Sequence, residues 1–274
     1  MSNPILSAKD ISITFGALKA VTDFNLEIKE NELVGLIGPN GAGKTTVFNI
    51  LTGVYSPTSG QYKFNGEVIN KMPTFKLVKK GLARTFQNIR LFKYLSVLQN
   101  VLVANNFNMK YGILAGMFRT PKYWREEKEA EKKAMDLLKI FGLEEYAHTA
   151  AGNLPYGKQR KLEIARAMAT NPKVLLLDEP AAGMNPTETE ELMNTIRLIR
   201  DKFNIAILLI EHDMKLVLGI CERLVVLDHG NIIASGDPKK VVNEPAVVTA
   251  YLGQDDDEIG RRGGIKISWK ICLK

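Results

Sequence analysis

The sequence predicts an α/β fold whose buried strands end in residues that can do chemistry. Three apolar runs, 33–37, 174–177 and 205–210, have the length and the uniform apolar character of strands buried on both faces. The first is followed by a Gly-rich turn and a helical pattern, and the other two are followed by acidic side chains. Because open α/β sheets place functional residues beyond the carboxyl ends of their strands, we expect a site at this edge.

The composition is that of an ordinary globular protein. The chain has 274 residues, 45% hydrophobic and 24% charged, enough for one large or two modest domains. No apolar run approaches the roughly 18 residues of a membrane span, and the start does not resemble a secretory signal, so we expect a cytosolic chain. Cys221 and Cys272 lack metal-type spacing, and the net charge of +7 is scattered, which favours a solvated surface over a nucleic-acid interface.

Short β-type segments at 5–7, 11–15 and 24–28 predict a small antiparallel sheet at the start of the chain. Phe15 closes the second of these segments. An aromatic side chain at this point can stack on a nucleotide base, whereas most Phe residues in strands belong to the core. The pattern alone leaves both interpretations of Phe15 open.

The Gly-rich turn has the pattern G-x-x-x-x-G-K-[ST], in which each fixed residue has a physical reason. Glycines let several backbone N–H groups face one anion, and the following helix adds the positive end of its dipole. Lys44 can reach the β- and γ-phosphates, while the Thr45 hydroxyl can ligate Mg²⁺. The predicted nucleotide-binding residues of this turn are Gly38, Pro39, Asn40, Gly41, Ala42, Gly43, Lys44, Thr45 and Thr46.

The middle of the chain changes to helical patterns, with candidate helices at 95–107 and 124–141. A hairpin is predicted before them at 61–66. A further helix is predicted up to Ala169, entered through residues 152–160. The exposed N–H groups of that entry can hold an anion, although composition alone is a weak signal for it.

Asp178 and Glu179 end the second buried strand, and His212 follows the third. With a phosphate-binding turn in the same chain, Asp178 is predicted to hold Mg²⁺ and Glu179 to act as base or orienter for an attacking water. The alternative for the two acids is a helix cap. His212 is expected on the same edge as the acids, which favours a γ-phosphate contact over a purely structural role.

The last residues differ in pattern from the rest of the chain. Residues 255–258 are an acidic run, and apolar residues alternate strictly with others over 265–273. This period of two fits an amphipathic edge strand, and a frayed terminus fits it equally well. We therefore treat 254–274 as a separate C-terminal tail.

The motifs occur together in the order that one protein family shows. They are the Gly-rich turn, Gln87, residues 154–159, residues 174–179 and His212. With this set, residues 5–253 resemble the nucleotide-binding subunit of ABC transporters. The resemblance implies a P-loop NTPase (ABC ATPase) fold with a mixed central sheet, a small antiparallel β subdomain and an inserted α-helical subdomain.

The resemblance also implies domain bounds, cofactors and residue roles. An α/β core would comprise 1–87 and 170–253, and a helical subdomain would comprise 88–169. Two subunits would bind ATP and Mg²⁺ head to tail, between the phosphate loop of one and the signature segment of the other. Phe15 would stack on adenine, and Gln87 would link Mg²⁺ and water to the helical subdomain. The implied catalytic residues are Lys44, Gln87, Glu179 and His212, the metal ligands are Thr45, Gln87 and Asp178, and the signature-segment contacts are Tyr156, Gly157 and Lys158.

Two stretches depart from the family pattern. Pro155 stands where a Ser is usual, and Tyr156 stands where a Gly is often found. Pro has neither a hydroxyl nor a backbone N–H, so the γ-phosphate contact of that Ser cannot form here, whereas Gly157 and its neighbours still offer amides. Asn185 stands where an Asp is common, and its neutral amide is expected to weaken communication across the dimer. Since Lys44 and both acids are intact, we still expect hydrolysis.

Residues 154–166, 181–186 and 210–215 look like the branched-chain amino acid importer subfamily. This resemblance implies an ATPase at the cytoplasmic face of the cell membrane that powers uptake of branched-chain or other apolar amino acids. Its implied partners are transmembrane permease subunits, a second ABC ATPase subunit in a homodimer or heterodimer, and indirectly an extracytoplasmic substrate-binding protein.

Other functions fit the same motifs, because none of these residues would touch the cargo. Import of urea or short amides and export of lipopolysaccharide remain open. An ABC-type ATPase acting on DNA or ribosomes is less consistent with a single phosphate loop and the lack of a long heptad run, so no nucleic acid is expected. A nucleotide sensor without turnover is less consistent with the intact Glu179.

Overall fold

The structure is a computed structural model that describes residues 3–105, 117–118 and 120–251. The chain forms two units: the first comprises the residues up to Met72 and those from Ala206 on, and the second comprises Pro73–Ile205. The C-terminal tail 254–274 lies outside the described residues. Within the described ranges, no helix has both the length and the apolar character needed to cross a membrane.

The first unit contains an antiparallel sheet with the strand order β2-β1-β4-β5. Its strands are β1 Leu6–Phe15, β2 Leu18–Ile28, β4 Ser59–Phe64 and β5 Glu67–Val68. The predicted break between 7 and 11 is wrong, because β1 runs through it with a shift of register between Ala8 and Ile11. Asp10 has a φ of 53° there, so a local irregularity interrupts the alternation of side chains without ending the strand.

The first unit also contains strands of a mixed sheet, which is the predicted central element. Strand β3 (Leu33–Ile37) pairs in parallel with β8 (Ala206–Ile210) on one side and β9 (Arg223–Asp228) on the other. Strand β10 (Asn231–Gly236) is antiparallel to β9 and forms a hairpin with it. Every residue of β3 and β8 is buried, as their uniform apolar sequences predict. Helices of this unit are Lys44–Leu51, Met214–Ile220, Pro238–Val241 and residues 245–251.

The second unit contains two parallel strands, β6 (Leu82–Arg84) and β7 (Val174–Asp178), and several helices. The helix predicted at 124–141 is Pro121–Ile140, because the Thr120 side chain caps its N-terminus and proline occupies its first turn. Its apolar face is buried and its charged face is exposed, as the sequence predicts. The other helices are Thr74–Lys80, Val97–Asn105, Tyr156–Met168 and Pro186–Phe203.

Candidate functional site

In the first unit the Gly-rich turn joins β3 to the helix Lys44–Leu51. Gly38 has a φ of 151°, and a Cβ on it would lie 2.0 Å from the carbonyl oxygen of Leu227. Gly43 has a φ of 102°, and a Cβ on it would lie 2.8 Å from the carbonyl oxygen of Ala20. Only glycine fits at these two positions, because the loop backbone packs directly on neighbouring strands.

Lys44 is held inside this loop. Its Nζ donates hydrogen bonds to the carbonyl oxygens of Gly38 (2.6 Å) and Pro39 (2.8 Å), and the residue is 9% exposed. None of the described side chains caps the N-terminus of the helix that follows, and Thr45 is exposed in its first turn. The ammonium and the first N–H groups of the helix therefore put positive charge at one place, which is the electrostatic requirement for a phosphate site.

Phe15 and Tyr55 form a pair of exposed aromatic rings in the same unit. Their ring centroids are 5.3 Å apart at an interplanar angle of 71°, and they are 44% and 38% exposed. Phe15 is therefore not a core residue, which leaves its ring available for stacking on a flat ligand. The sequence analysis does not assign Tyr55 to the site, because this residue stands in a turn-like stretch. Its aromatic side chain is the one sequence feature that could have indicated a contact with a base.

His212 lies at the same edge of the mixed sheet as the phosphate loop. Leu36 of β3 is in register with Ile210 of β8, so both strands end side by side. The His212 side chain is 66% exposed, and its Nδ1 lies 3.8 Å from Oε2 of the buried Glu211. The same oxygen accepts hydrogen bonds from the backbone N–H groups of His212 (3.1 Å) and Asp213 (3.4 Å), which fixes the backbone under the imidazole.

In the second unit Asp178 ends β7 and is 3% exposed. Its Oδ2 accepts a hydrogen bond of 2.7 Å from the guanidinium of Arg84, and its N–H donates to the Thr85 hydroxyl at 3.3 Å. Both partners come from the end of β6, the parallel neighbour of β7. A buried carboxylate needs such compensation, so the ion pair accounts for the charge of Asp178 in the described structure.

Glu179 follows in the left-handed conformation, with a φ of 46°. Its Oε2 accepts a hydrogen bond of 2.8 Å from the Gln87 side-chain amide. A non-glycine residue in this conformation is strained by on the order of 1 kcal/mol, and such strain is concentrated at functional sites. The structure thus brings together Gln87 and Glu179, which are 92 residues apart in the chain.

The signature segment opens the helix Tyr156–Met168, with Pro155 as its N-cap residue. A Cβ on Gly157 would lie 2.5 Å from Oε1 of Glu188, so a side chain there would displace a carboxylate that accepts the capping hydrogen bond from Asn185. The Tyr156 ring lies against Gly183, at 3.3 Å from the position of a Cβ on that residue. Lys158 does not lie free in solvent, since its Nζ is 4.4 Å from the centroid of the Tyr146 ring.

Asn185 has a structural role that the sequence analysis did not assign. It caps the helix Pro186–Phe203, accepting a hydrogen bond from the Glu188 N–H at 2.9 Å while the Glu188 carboxylate accepts one from the Asn185 N–H at 3.0 Å. This reciprocal capping box explains an amide at this position, because Asn is as good an N-cap residue as Asp.

Sequence reasoning also missed Arg160 and Tyr251. Arg160 is fully buried beside the Gln87 backbone, but in the sequence it looks like one more charged residue on a helix. Tyr251 lies in the helix 245–251, where burial raises its pKa to about 12 and the nearby backbone of Gly38 acts against that shift. The C-terminal helix of the first unit therefore reaches the phosphate loop, which no local pattern indicates.

The predicted metal ligands suit magnesium by their chemistry. Thr45 offers a hydroxyl, Gln87 an amide oxygen and Asp178 a carboxylate, and Mg²⁺ prefers such hard oxygen donors. Among the described residues there is no group of three or more His, Cys, Asp or Glu side chains that could hold a metal ion without help. Each of these donors suits an ion that keeps several waters and shares the oxygens of a bound phosphate.

A phosphate loop after a buried strand, together with carboxylates at the end of a parallel strand, defines a P-loop nucleotide-binding protein. Residues 21–182 match the family model for ABC transporters. Residues 231–257 match a second model, that of the branched-chain amino acid ATP-binding cassette transporter. The chain belongs to the ABC transporter family.

Two curated relatives cover almost all of this chain. They are the high-affinity branched-chain amino acid transport ATP-binding proteins BraF of Pseudomonas aeruginosa and LivG of Escherichia coli K12. Each is 48% identical over 254 residues, which is 93% of this chain and 100% of the relative.

Solved structures of ATP-binding cassettes have the same fold. The ADP conformation of MJ1267, an ATP-binding cassette of an ABC transporter, matches with a TM-score of 0.80 and 32% identity, over 92% of this chain and 100% of that one. The dimeric post-hydrolysis state of the cassette MJ0796 bound to ADP and Pi matches with a TM-score of 0.72 and 25% identity, over 85% and 98% of the two chains.

Proposed function

We propose that this chain is the ATP-binding and ATP-hydrolysing subunit of an ABC importer for branched-chain or other apolar amino acids. The observation that carries the proposal is the loop in which Lys44 is held by two backbone carbonyls at the end of β3. A relative that is 48% identical over 254 residues, named for branched-chain amino acid transport, supports the cargo.

In this function the first unit binds the nucleotide. The amides of the Gly-rich turn and the Lys44 ammonium would hold the phosphates, with Asn40, Gly41, Ala42 and Thr46 completing the loop. The exposed rings of Phe15 and Tyr55 would take the adenine. His212, exposed at the same sheet edge, would contact the γ-phosphate.

The second unit would supply hydrolysis. Glu179 would orient the attacking water and accept its proton, and Gln87 would hold that carboxylate in place through the amide hydrogen bond. Mg²⁺, when bound by Thr45, Gln87 and Asp178, would neutralise charge that develops on the phosphates. Arg84 would then have to share the Asp178 carboxylate with the ion.

The signature segment would act on a second ATPase subunit. A dimer is supported by the dimeric cassette with the same fold. Because Pro155 offers neither a hydroxyl nor an N–H, the contact to the partner's nucleotide would come from the amides of Tyr156, Gly157 and Lys158. The assembly would lie at the cytoplasmic face of the membrane, bound to permease subunits and served by a substrate-binding protein, without a nucleic-acid partner.

Uptake in a strain that lacks the gene tests this proposal. We expect uptake of radiolabelled leucine, isoleucine and valine to fall and to be restored by the parent chain but not by Glu179→Gln. Uptake of arginine is the control for general effects on the membrane. Unchanged branched-chain uptake with a loss of urea or short-amide uptake, or with a defect in lipopolysaccharide export, would assign a different cargo.

A further inference from the structure

The second unit contains a buried ion pair that the proposed reaction does not use. Arg160 and Glu163 lie one turn apart on the helix Tyr156–Met168, with Nη1 and Oε2 3.0 Å apart. Arg160 is 0% exposed and Glu163 is 2% exposed. A buried pair adds little stability in itself and is expensive to break, so its further contacts indicate what it does.

Those contacts hold the backbone of the segment that carries Gln87. Arg160 donates to the carbonyl oxygens of Phe86 (2.9 Å) and Gln87 (2.7 Å), one from each end of its guanidinium fork. Glu163 accepts a hydrogen bond from the N–H of Arg90 at 3.3 Å. The pair thus fixes both ends of the segment 86–90 to one helix, and the fork geometry is available to arginine but not to lysine.

The same guanidinium reaches the first turn of the signature helix. Its Nη2 lies 3.1 Å from the Tyr156 hydroxyl, and the Tyr156 ring lies against Gly183, four residues after Glu179. Burial raises the pKa of Glu163, and the charge of Arg160 acts against that shift. The pair is therefore linked to Tyr156 on one side and to Gln87 on the other.

We propose that Arg160, with Glu163, is a positioning residue. It transmits a movement of the first turn of the signature helix to the hydrogen bond between Gln87 and Glu179. When that turn binds the nucleotide of a second subunit, it would thereby adjust the Glu179 carboxylate of the subunit to which the turn belongs. This inference rests on the proposed ATPase function, and it concerns turnover rather than nucleotide binding.

Arg160→Lys tests the fork, because it keeps the charge and loses the second carbonyl contact. We expect kcat for ATP hydrolysis to fall by at least about tenfold, since small displacements of catalytic groups have effects of this size or larger. The Kd of a fluorescent ATP analogue should stay within about twofold of the parent value, because the phosphate loop is unchanged. Glu191→Gln is the control: Glu191 lies on the helix Pro186–Phe203 and accepts an exposed bond from Lys161 of the signature helix, so its replacement should leave kcat unchanged.

The double variant Arg160→Lys with Gln87→Ala distinguishes a positioning role of Arg160 from a merely structural one. If Arg160 acts through Gln87, its replacement should change kcat by less than about twofold once Gln87 is alanine. An equal loss of kcat in both backgrounds, or a parent-like kcat for Arg160→Lys, would overturn the inference. If Arg160→Lys does not fold, Tyr156→Phe and Glu163→Gln take its place in the same cycle. A parent chain that hydrolyses no ATP contradicts the proposed function instead.

Discussion

The phosphate loop and the carboxylate cluster are built in different ways. The loop is a continuous stretch from Gly38 to Thr46 whose shape is set by its own backbone and by Lys44 folding onto the carbonyls of Gly38 and Pro39. The carboxylate cluster consists of Asp178, Glu179 and the side chains that bind them, which are far apart in the sequence. Gln87 donates a hydrogen bond to Glu179, and Arg84 donates one to Asp178.

The difference assigns different tasks to the two regions. Backbone amides and a helix terminus change little from one state to the next, which suits constant binding of phosphates. A hydrogen bond between two side chains on separate segments can be made or lost by a small displacement, which suits control of turnover. Substitutions in the loop should therefore weaken ATP binding. Substitutions in the cluster should reduce ATP turnover and leave ATP binding unchanged.

The largest effect is expected for Glu179→Gln. Loss of the carboxylate should reduce ATP turnover by about 10² to 10⁴ fold, which is the usual contribution of a general base. ATP affinity should stay within about twofold, and a dimer should accumulate when ATP is added, detected by size-exclusion chromatography. Glu145→Gln, an exposed carboxylate of the same unit, is the control. Turnover within threefold of the parent would remove Glu179 from the mechanism.

Lys44→Ala should give the second largest effect, and it should appear in binding. A charge-assisted contact to phosphate is worth about 2 to 3 kcal/mol, or roughly 30- to 150-fold in Kd. Titration with a fluorescent ATP analogue measures this loss directly. Lys63→Ala removes an exposed cation from the same unit and should bind like the parent. A normal isotherm for Lys44→Ala would contradict the loop assignment.

The contrast between the two regions also explains what the sequence could predict. The loop is local, so nine consecutive residues and the buried strand before them were enough to predict a Gly-rich turn that leads from a strand into a helix. The buried strands β3, β7 and β8 were predictable for the same reason, since a uniform apolar run needs no knowledge of its neighbours.

The remaining features depend on contacts between distant residues. The burial of Arg160 follows from the carbonyls of Phe86 and Gln87, which are more than 70 residues away, so its sequence neighbours give no hint of it. The continuity of β1 through Asp10 depends on pairing with β2, and the irregular residue there looked like a break. Asn185 is the exception, because its capping box with Glu188 is local and the spacing of three residues between an Asn and a Glu predicts it.

A smaller effect is expected at Asn185, and it tests which of its two interpretations is correct. Asn185→Ala should lower the free energy of unfolding by about 1 kcal/mol, because the capping box is lost. Asn185→Asp should keep the stability of the parent, since Asp caps equally well. Urea denaturation measures both. If the alanine variant is as stable as the parent, the capping box contributes nothing measurable.

An effect of similar size concerns the response of the first unit to alkali. In the first unit burial raises the pKa of Tyr62 from 10.0 to about 12, and Tyr62 is fully buried in β4. A folded-state pKa above the unfolded value stabilises the neutral form, so this contribution is complete below pH 10 and is lost as the pH rises through about 12.

The free energy of unfolding should therefore fall less with rising pH in Tyr62→Phe than in the parent. At pH 11 the difference between the two falls should be about 1 kcal/mol. Denaturant titrations at pH 9 and pH 11 give the difference for each variant. Tyr94→Phe, which removes the hydroxyl of a fully exposed tyrosine in the second unit, is the control. An identical pH dependence in Tyr62→Phe and the parent would show that ionisation of Tyr62 is not linked to unfolding.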